Sequence, residues 1–149
     1  MQPRMKQPAY YNQDAMQALM ALGKSAENKG VPQTTLSLVH MRVSQINGCA
    51  PCLESHLRHG KDTEQRMITL AVWHDAPFFT EPERAALALA EAVTRIADRP
   101  DAVSDEIWAA AAKHYDEPQL AALLIYISTA NVWNRLNVST RQVAGELTW

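Results

Sequence analysis

The 149-residue sequence predicts an all-α fold of about seven helices. Three observations predict it. Apolar residues recur at three- and four-residue steps through most of the chain. No segment sustains the period-two alternation of a half-buried strand. The periodic segments are punctuated by helix caps, with Asn, Asp, Ser or Thr in front and Gly or Pro behind. At 47% hydrophobic and 20% charged residues the composition is globular, and the length suits a single domain over 1–149.

Asn12 is placed to cap a first helix carrying Met16, Leu19 and Met20 on one face. Gly30 and Pro32 mark a break and a restart. Leu36, Val39, Val43 and Ile46 then step at helical spacing, and Asn47-Gly48 supplies a C-terminal stop. A short helix opens near Cys49, where Pro51 is tolerated because the first turn has no use for its missing N–H. Gly60-Lys61 ends it. Asp62 is expected to cap a fourth helix running through Met67, Leu70, Ala71 and His74 to a stop at Pro77. Thr80-Glu81-Pro82-Glu83 reads as a capping box for a fifth, with Ala85, Leu89, Ala92, Val93 and Ile96 as its stripe. Ser104 caps a sixth, with Asp105 and Glu106 complementing its dipole. Asp116-Glu117-Pro118-Gln119 starts a long seventh carrying Leu120, Leu123, Leu124 and Ile127. The segment Gln142 to Trp149 carries no clear pattern, and its terminal Trp suits packing on the core or on a neighbour.

Fourteen Lys and Arg against sixteen Asp and Glu give a formal net charge of -2, which argues against a nucleic-acid surface or a polybasic membrane patch. Two cysteines exclude a disulfide-rich secreted scaffold. The stretch Met1 to Pro8 has no apolar core, so no signal peptide is expected. The most apolar run, Leu120 to Ile127, falls short of the roughly 20 residues that span a membrane. A soluble, cytoplasmic protein is the expectation.

Chemistry concentrates in Ser44-Gln45-Ile46-Asn47-Gly48-Cys49-Ala50-Pro51-Cys52-Leu53-Glu54-Ser55-His56, which holds both cysteines of the chain. On a helix starting near Cys49, the steps of three and four put Cys49, Cys52 and His56 on one face. Thiols at that spacing can close a disulfide, and a helix N-terminus favours the reactive thiolate. His56 lies within reach of a proton on that face. A dithiol redox centre is the reading that joins these features. Two alternatives stay open: a chance pair of buried small residues, and a zinc site with His40 or His59 as fourth ligand. A c-type haem site is excluded, because Leu53 stands where the histidine must follow the second cysteine.

The run is similar to the AhpD-like alkylhydroperoxidase branch of the carboxymuconolactone decarboxylase family. The resemblance rests on Arg42-Val43-Ser44-Gln45-Ile46-Asn47-Gly48-Cys49 with the following Cys-x-x-Cys-x-x-x-His. It extends through Glu64-Gln65-Arg66, Trp73, Pro77-Phe78-Phe79-Thr80-Glu81, the helix from Glu83 to Thr94, and Asn131-Val132-Trp133-Asn134-Arg135-Leu136. It covers most of residues 36–138. It implies an all-helical, AhpD-like domain in a homo-oligomer. It also implies a thiol-dependent peroxidase recycled by a dithiol donor, lipoyl-like or thioredoxin-like, without metal, flavin or haem. The peroxide-attacking thiol carries over to Cys52, the resolving thiol to Cys49 and a proton-relay histidine to His56.

Two positions depart from the family pattern. Ser37 stands where a relay glutamate is expected, and Pro51 where a histidine precedes the second cysteine. A serine hydroxyl passes a hydrogen bond but is no base near neutral pH. His40, one turn beyond Ser37, offers a replacement base, and Glu91 is a second candidate. A weak or inactive peroxidase acting as a redox-sensing or binding subunit is the alternative reading. A decarboxylase like the family's namesake is a third, against which the cysteine pair speaks.

Among the remaining residues, Glu54 is expected to be a solvated charge. Trp73, Trp108 and Trp133 are expected in the core or at subunit contacts. Asn131, Asn134 and Arg135 form a polar cluster on an apolar helix, suited to ordering an oligomer or a loop. Several Trp residues and a long apolar helix on a small subunit also favour oligomerisation.

Overall fold

The computed structural model describes residues 1–59 and 62–146. Among them are seven α-helices and no strand: α1 (Gln13–Ser25), α2 (Gln33–Asn47), α3 (Ala50–His59), α4 (Glu64–Thr69), α5 (Glu81–Thr94), α6 (Asp105–Ala112) and α7 (Glu117–Ser139). Short 3-10 turns precede α1 and follow α4.

The caps largely follow the sequence because capping is a local exchange of hydrogen bonds. Asn12 accepts from Ala15 N–H, and Ser104 accepts from Ile107 N–H. Thr80 with Glu83 and Asp116 with Gln119 both close full capping boxes. Thr63, not Asp62, caps α4: the Thr63 hydroxyl accepts from Arg66 N–H, while Asp62 pairs with the Arg66 side chain. Helix α4 also stops at Thr69, well before Pro77, because a 3-10 turn drives Leu70 into the core. The expected stop at Gly60-Lys61 and the terminal Trp149 lie outside the described residues.

Three helices form the frame, with α2, α5 and α7 packed against one another. Helix α2 is apolar on two sides. Leu36, Val39 and Val43 join Leu89, Leu123 and Ile127 in one cluster, while Leu38 and Met41 join Leu70, Trp73, Phe79 and Leu87 in another. A helix greasy on both flanks must sit between layers. Helix α6 lies on α5, α3 packs on α2 and α7, and α1 packs on α7 with none of its residues fully buried. No helix among the described residues is long and apolar enough to cross a membrane.

Arg66 ties the fourth and fifth helices together. Its guanidinium reaches Glu83 at 2.5 Å, the Phe78 carbonyl at 2.6 Å and the Phe79 ring. Asp62 adds a second carboxylate 2.8 Å from Arg66 Nε. Burial works to raise the Glu83 carboxyl, but the bonds from Arg66 and Thr80 outweigh it and hold it below its ordinary range.

Candidate active site

Gly48 aims the cysteines. It ends α2 at φ +68, in the left-handed region that favours glycine, and a Cβ there would meet nothing within 4 Å, so the requirement is conformational. The N–H groups of Gly48 and Cys49 turn back onto the carbonyls of Gln45 and Ser44 at 3.3 and 2.9 Å. The chain therefore reverses without a loop and enters α3 at Ala50, with Pro51 in its first turn.

Cys49 and Cys52 are joined in a disulfide, their Cα atoms 5.4 Å apart. Among the described residues no group of three or more His, Cys, Asp or Glu is arranged to hold a metal ion. Cys49 is fully buried, at 0% exposure, and Cys52 shows 4%. Cys52 forms part of the wall of a cavity of about 370 Å³ that also exposes Met16 and Met20 of α1, His40, His56, Trp133 and Asn137. A neighbouring cavity of about 390 Å³ shares Met20, His40 and Trp133 with it.

The structure brings Ser37, His40 and His56 together beside this wall. Ser37 Oγ lies 3.3 Å from His56 Nδ1. The His40 and His56 rings are 4.2 Å apart between centroids, and the Tyr126 ring meets His40 edge-on at 5.9 Å. Desolvation, and then the proximity of His56, push the His40 imidazole well below its ordinary 6.5, so it stays neutral at physiological pH. In the unfolded chain His40 binds its proton near pH 6.5, and in the fold it does not. Stability therefore falls as pH drops below about 6.5, where the unfolded state binds more protons. Thermal melts between pH 7.5 and 5 are expected to show this loss, and His40→Gln is expected to flatten it. An unchanged slope in the variant would place the titration elsewhere. Glu83 and Glu91, both held below 4.5, contribute only at lower pH.

The polar side of the site comes from α7. Asn134 Nδ2 donates to Ser44 Oγ at 3.0 Å and to Cys52 Sγ at 3.1 Å. Asn137 Nδ2 donates to Cys52 Sγ at 3.4 Å. Asn47 Nδ2 donates to the Oδ1 atoms of Asn131 and Asn134 at 2.9 and 3.0 Å, which fixes the Asn134 amide with its nitrogen toward the sulfur. Asn131 in turn accepts from Arg135 at 2.8 Å. Sequence reading grouped Asn131, Asn134 and Arg135 without connecting them to the cysteines, and it passed over Asn137. The signal was there: three asparagines three residues apart along an apolar helix face must find partners if buried.

Glu91 does not serve the dithiol. It accepts from Arg42 Nε at 2.6 Å and Trp73 Nε1 at 2.9 Å, and these bonds outweigh its burial and keep it ionised. Glu54 pairs with Arg58 at 2.5 Å on the surface. Trp73 is in the core as expected, but Trp133 lines the cavity and Trp108 is 42% exposed.

The Carboxymuconolactone decarboxylase family profile matches residues 13–92. The chain is 35% identical over 129 residues to the uncharacterized protein YdfG of Bacillus subtilis (strain 168), covering 85% of this chain and 86% of that one. A crystal structure of a protein of unknown function from Agrobacterium tumefaciens, provisionally assigned as antioxidant defence protein AhpD, superposes with a TM-score of 0.88 at 30% identity. It covers 98% of this chain and 100% of its own. The debrominase Bmp8, at 22% identity and a TM-score of 0.77 over 92% of this chain and 74% of its own, shares the fold.

Proposed function

The chain belongs to the carboxymuconolactone decarboxylase family and has the AhpD-like fold, and on that footing we propose that it is a thiol-dependent peroxidase cycling between dithiol and disulfide. One observation carries the reading: of the two bonded sulfurs, Cys52 alone lines the cavity, beside His56, while Cys49 closes on it from the buried side. In the reduced protein His56 takes the Cys52 proton. The thiolate attacks the terminal oxygen of a hydroperoxide, the O–O bond breaks, and the alkoxide leaves with the proton held by His56, as alcohol. Cys52 is then a sulfenic acid. The Cys49 thiol displaces its oxygen as water and forms the disulfide. A dithiol donor, of lipoyl or thioredoxin type, reduces the pair by exchange and is itself oxidised. The sum is hydroperoxide plus dithiol giving alcohol, water and disulfide.

Position 37 does not stop this cycle. Ser37 Oγ lies against His56 Nδ1 and orients the ring beside Cys52. His40, kept neutral against the same ring, stands in for the glutamate. The working form is a homo-oligomer in the cytoplasm, and exposed Trp108 suits a subunit contact. The test is reductant-dependent consumption of tert-butyl hydroperoxide. Wild type is expected to turn over, and His56→Gln to be slower by about 100-fold, the range of one general acid-base group. The serine at position 37 favours a second reading, a redox-sensing or binding subunit. A protein that leaves hydroperoxide untouched while its disulfide opens and closes reversibly would establish that reading instead.

A further inference from the structure

We propose that Asn137 is the residue that receives the hydroperoxide, accepting its O–H proton through Oδ1 while donating through Nδ2 to the sulfur that attacks. The inference deepens the peroxidase reading and rests on it.

Asn137 is 1% exposed, and its Oδ1 has no hydrogen-bond partner among the described residues. Its other amide end is engaged, with Nδ2 3.4 Å from Cys52 Sγ. Leaving a buried carbonyl unpaired is costly, and a native fold that keeps one calls for an explanation, a catalytic role among them. Asn137 shares the cavity wall with Cys52 and His56, so a ligand there lies against the sulfur, the imidazole and the Asn137 side chain together. What Oδ1 lacks is a donor. A thiol substrate ionised for attack has none to give, an alkyl chain has none, and a hydroperoxide has one, on its terminal oxygen. That is the oxygen the sulfur must reach. Asn134, the other amide on Cys52, already has its Oδ1 engaged by Asn47. The two asparagines thus divide: both donate to the sulfur, and Asn137 is the one whose acceptor has no partner among the described residues. Met16 and Met20 on the same wall offer apolar contact and a weak acceptor to the organic part.

The experiment compares two reactions of the same thiolate in the reduced, intact protein. One is oxidation by tert-butyl hydroperoxide, and the other is alkylation by iodomethane, which has no hydrogen-bond donor to place. Their ratio cancels the thiolate population. For Asn137→Ala the ratio of rate constants is expected to fall about tenfold, the effect of one hydrogen bond. Asn137→Asp keeps an acceptor oxygen in the same space and loses the donor. Both its rates are expected to drop while the ratio stays at or above wild type. Equal ratios in wild type and Asn137→Ala, with wild-type circular dichroism, would overturn the assignment and leave the peroxidase standing. Should the alanine variant not fold, a lowered ratio in Asn137→Asp would overturn it. A wild-type protein inert to the hydroperoxide yet alkylated by iodomethane would overturn both.

Discussion

Cys52→Ser is expected to reduce hydroperoxide consumption to the uncatalysed background, a loss of at least about a thousandfold, as for removal of other covalent nucleophiles. The substitution trades sulfur for oxygen at a 4% exposed position and opens a disulfide that spans a short stretch of chain, so the helices are expected to survive it. Cys49→Ser separates the two thiols. Its Cys52 still attacks, so one equivalent of alcohol per protein is expected in a rapid phase. Turnover then stops, because no neighbouring thiol displaces the sulfenic oxygen. Trapping that species with dimedone and locating the adduct by mass spectrometry should find it on Cys52. An adduct on Cys49 in the Cys52→Ser protein, with turnover retained, would reverse the roles. Such a reversal would conflict with the geometry, in which Cys49 lies behind Cys52 at 0% exposure.

Glu83→Ala is expected to be the most damaging single change to the fold outside the hydrophobic core. Glu83 holds Arg66 at 2.5 Å and accepts from Thr80 N–H at 2.9 Å, so one carboxylate serves both an ion pair and the cap of α5. Its removal takes the nearer of two carboxylates from a guanidinium of low exposure, leaving Asp62 and the Phe78 carbonyl as its partners. Breaking a buried pair from one side costs about 3 kcal/mol or more, which at this chain length corresponds to a fall in Tm of about 10 °C. Glu83→Gln keeps an acceptor for the cap and loses the charge, and is expected to fall between. Calorimetry of the three proteins at pH 7 checks both. Equal melting temperatures would mean that the pair is balanced by its own desolvation.

Much of this architecture was legible in the sequence. Asn12, Thr80, Ser104 and Asp116 announce helix starts because a cap is satisfied within a turn of itself. Gly48 announces a stop for a similarly local reason. Where two capping residues stand side by side, as Asp62 and Thr63 do, the choice passes to a distant partner, here Arg66. The site divides the same way. Cys49, Cys52 and His56 lie within one short helix and its entrance, so spacing alone places them on one face. Ser37 and His40 share a face of α2, but their approach to His56 depends on how α2 and α3 pack. Asn134 and Asn137 come from the far end of the chain, and nothing near them in sequence points to sulfur. Glu91 looked available in sequence and is taken by Arg42 and Trp73 across a helix interface.

The amides that grip Cys52 follow it by 82 and 85 residues. A ribosome making this chain releases both thiols long before it has translated α7, and folding during synthesis proceeds from the N-terminal side. Until α7 docks, the cysteines lack the amide donors of Asn134 and Asn137 and the stretch of cavity wall that Trp133 and Asn137 supply. On the peroxidase reading, the reactivity of Cys52 toward peroxide is thus acquired only once α7 has been made and has docked. A nascent chain halted short of α7 would carry the full cysteine motif without the amides that grip it.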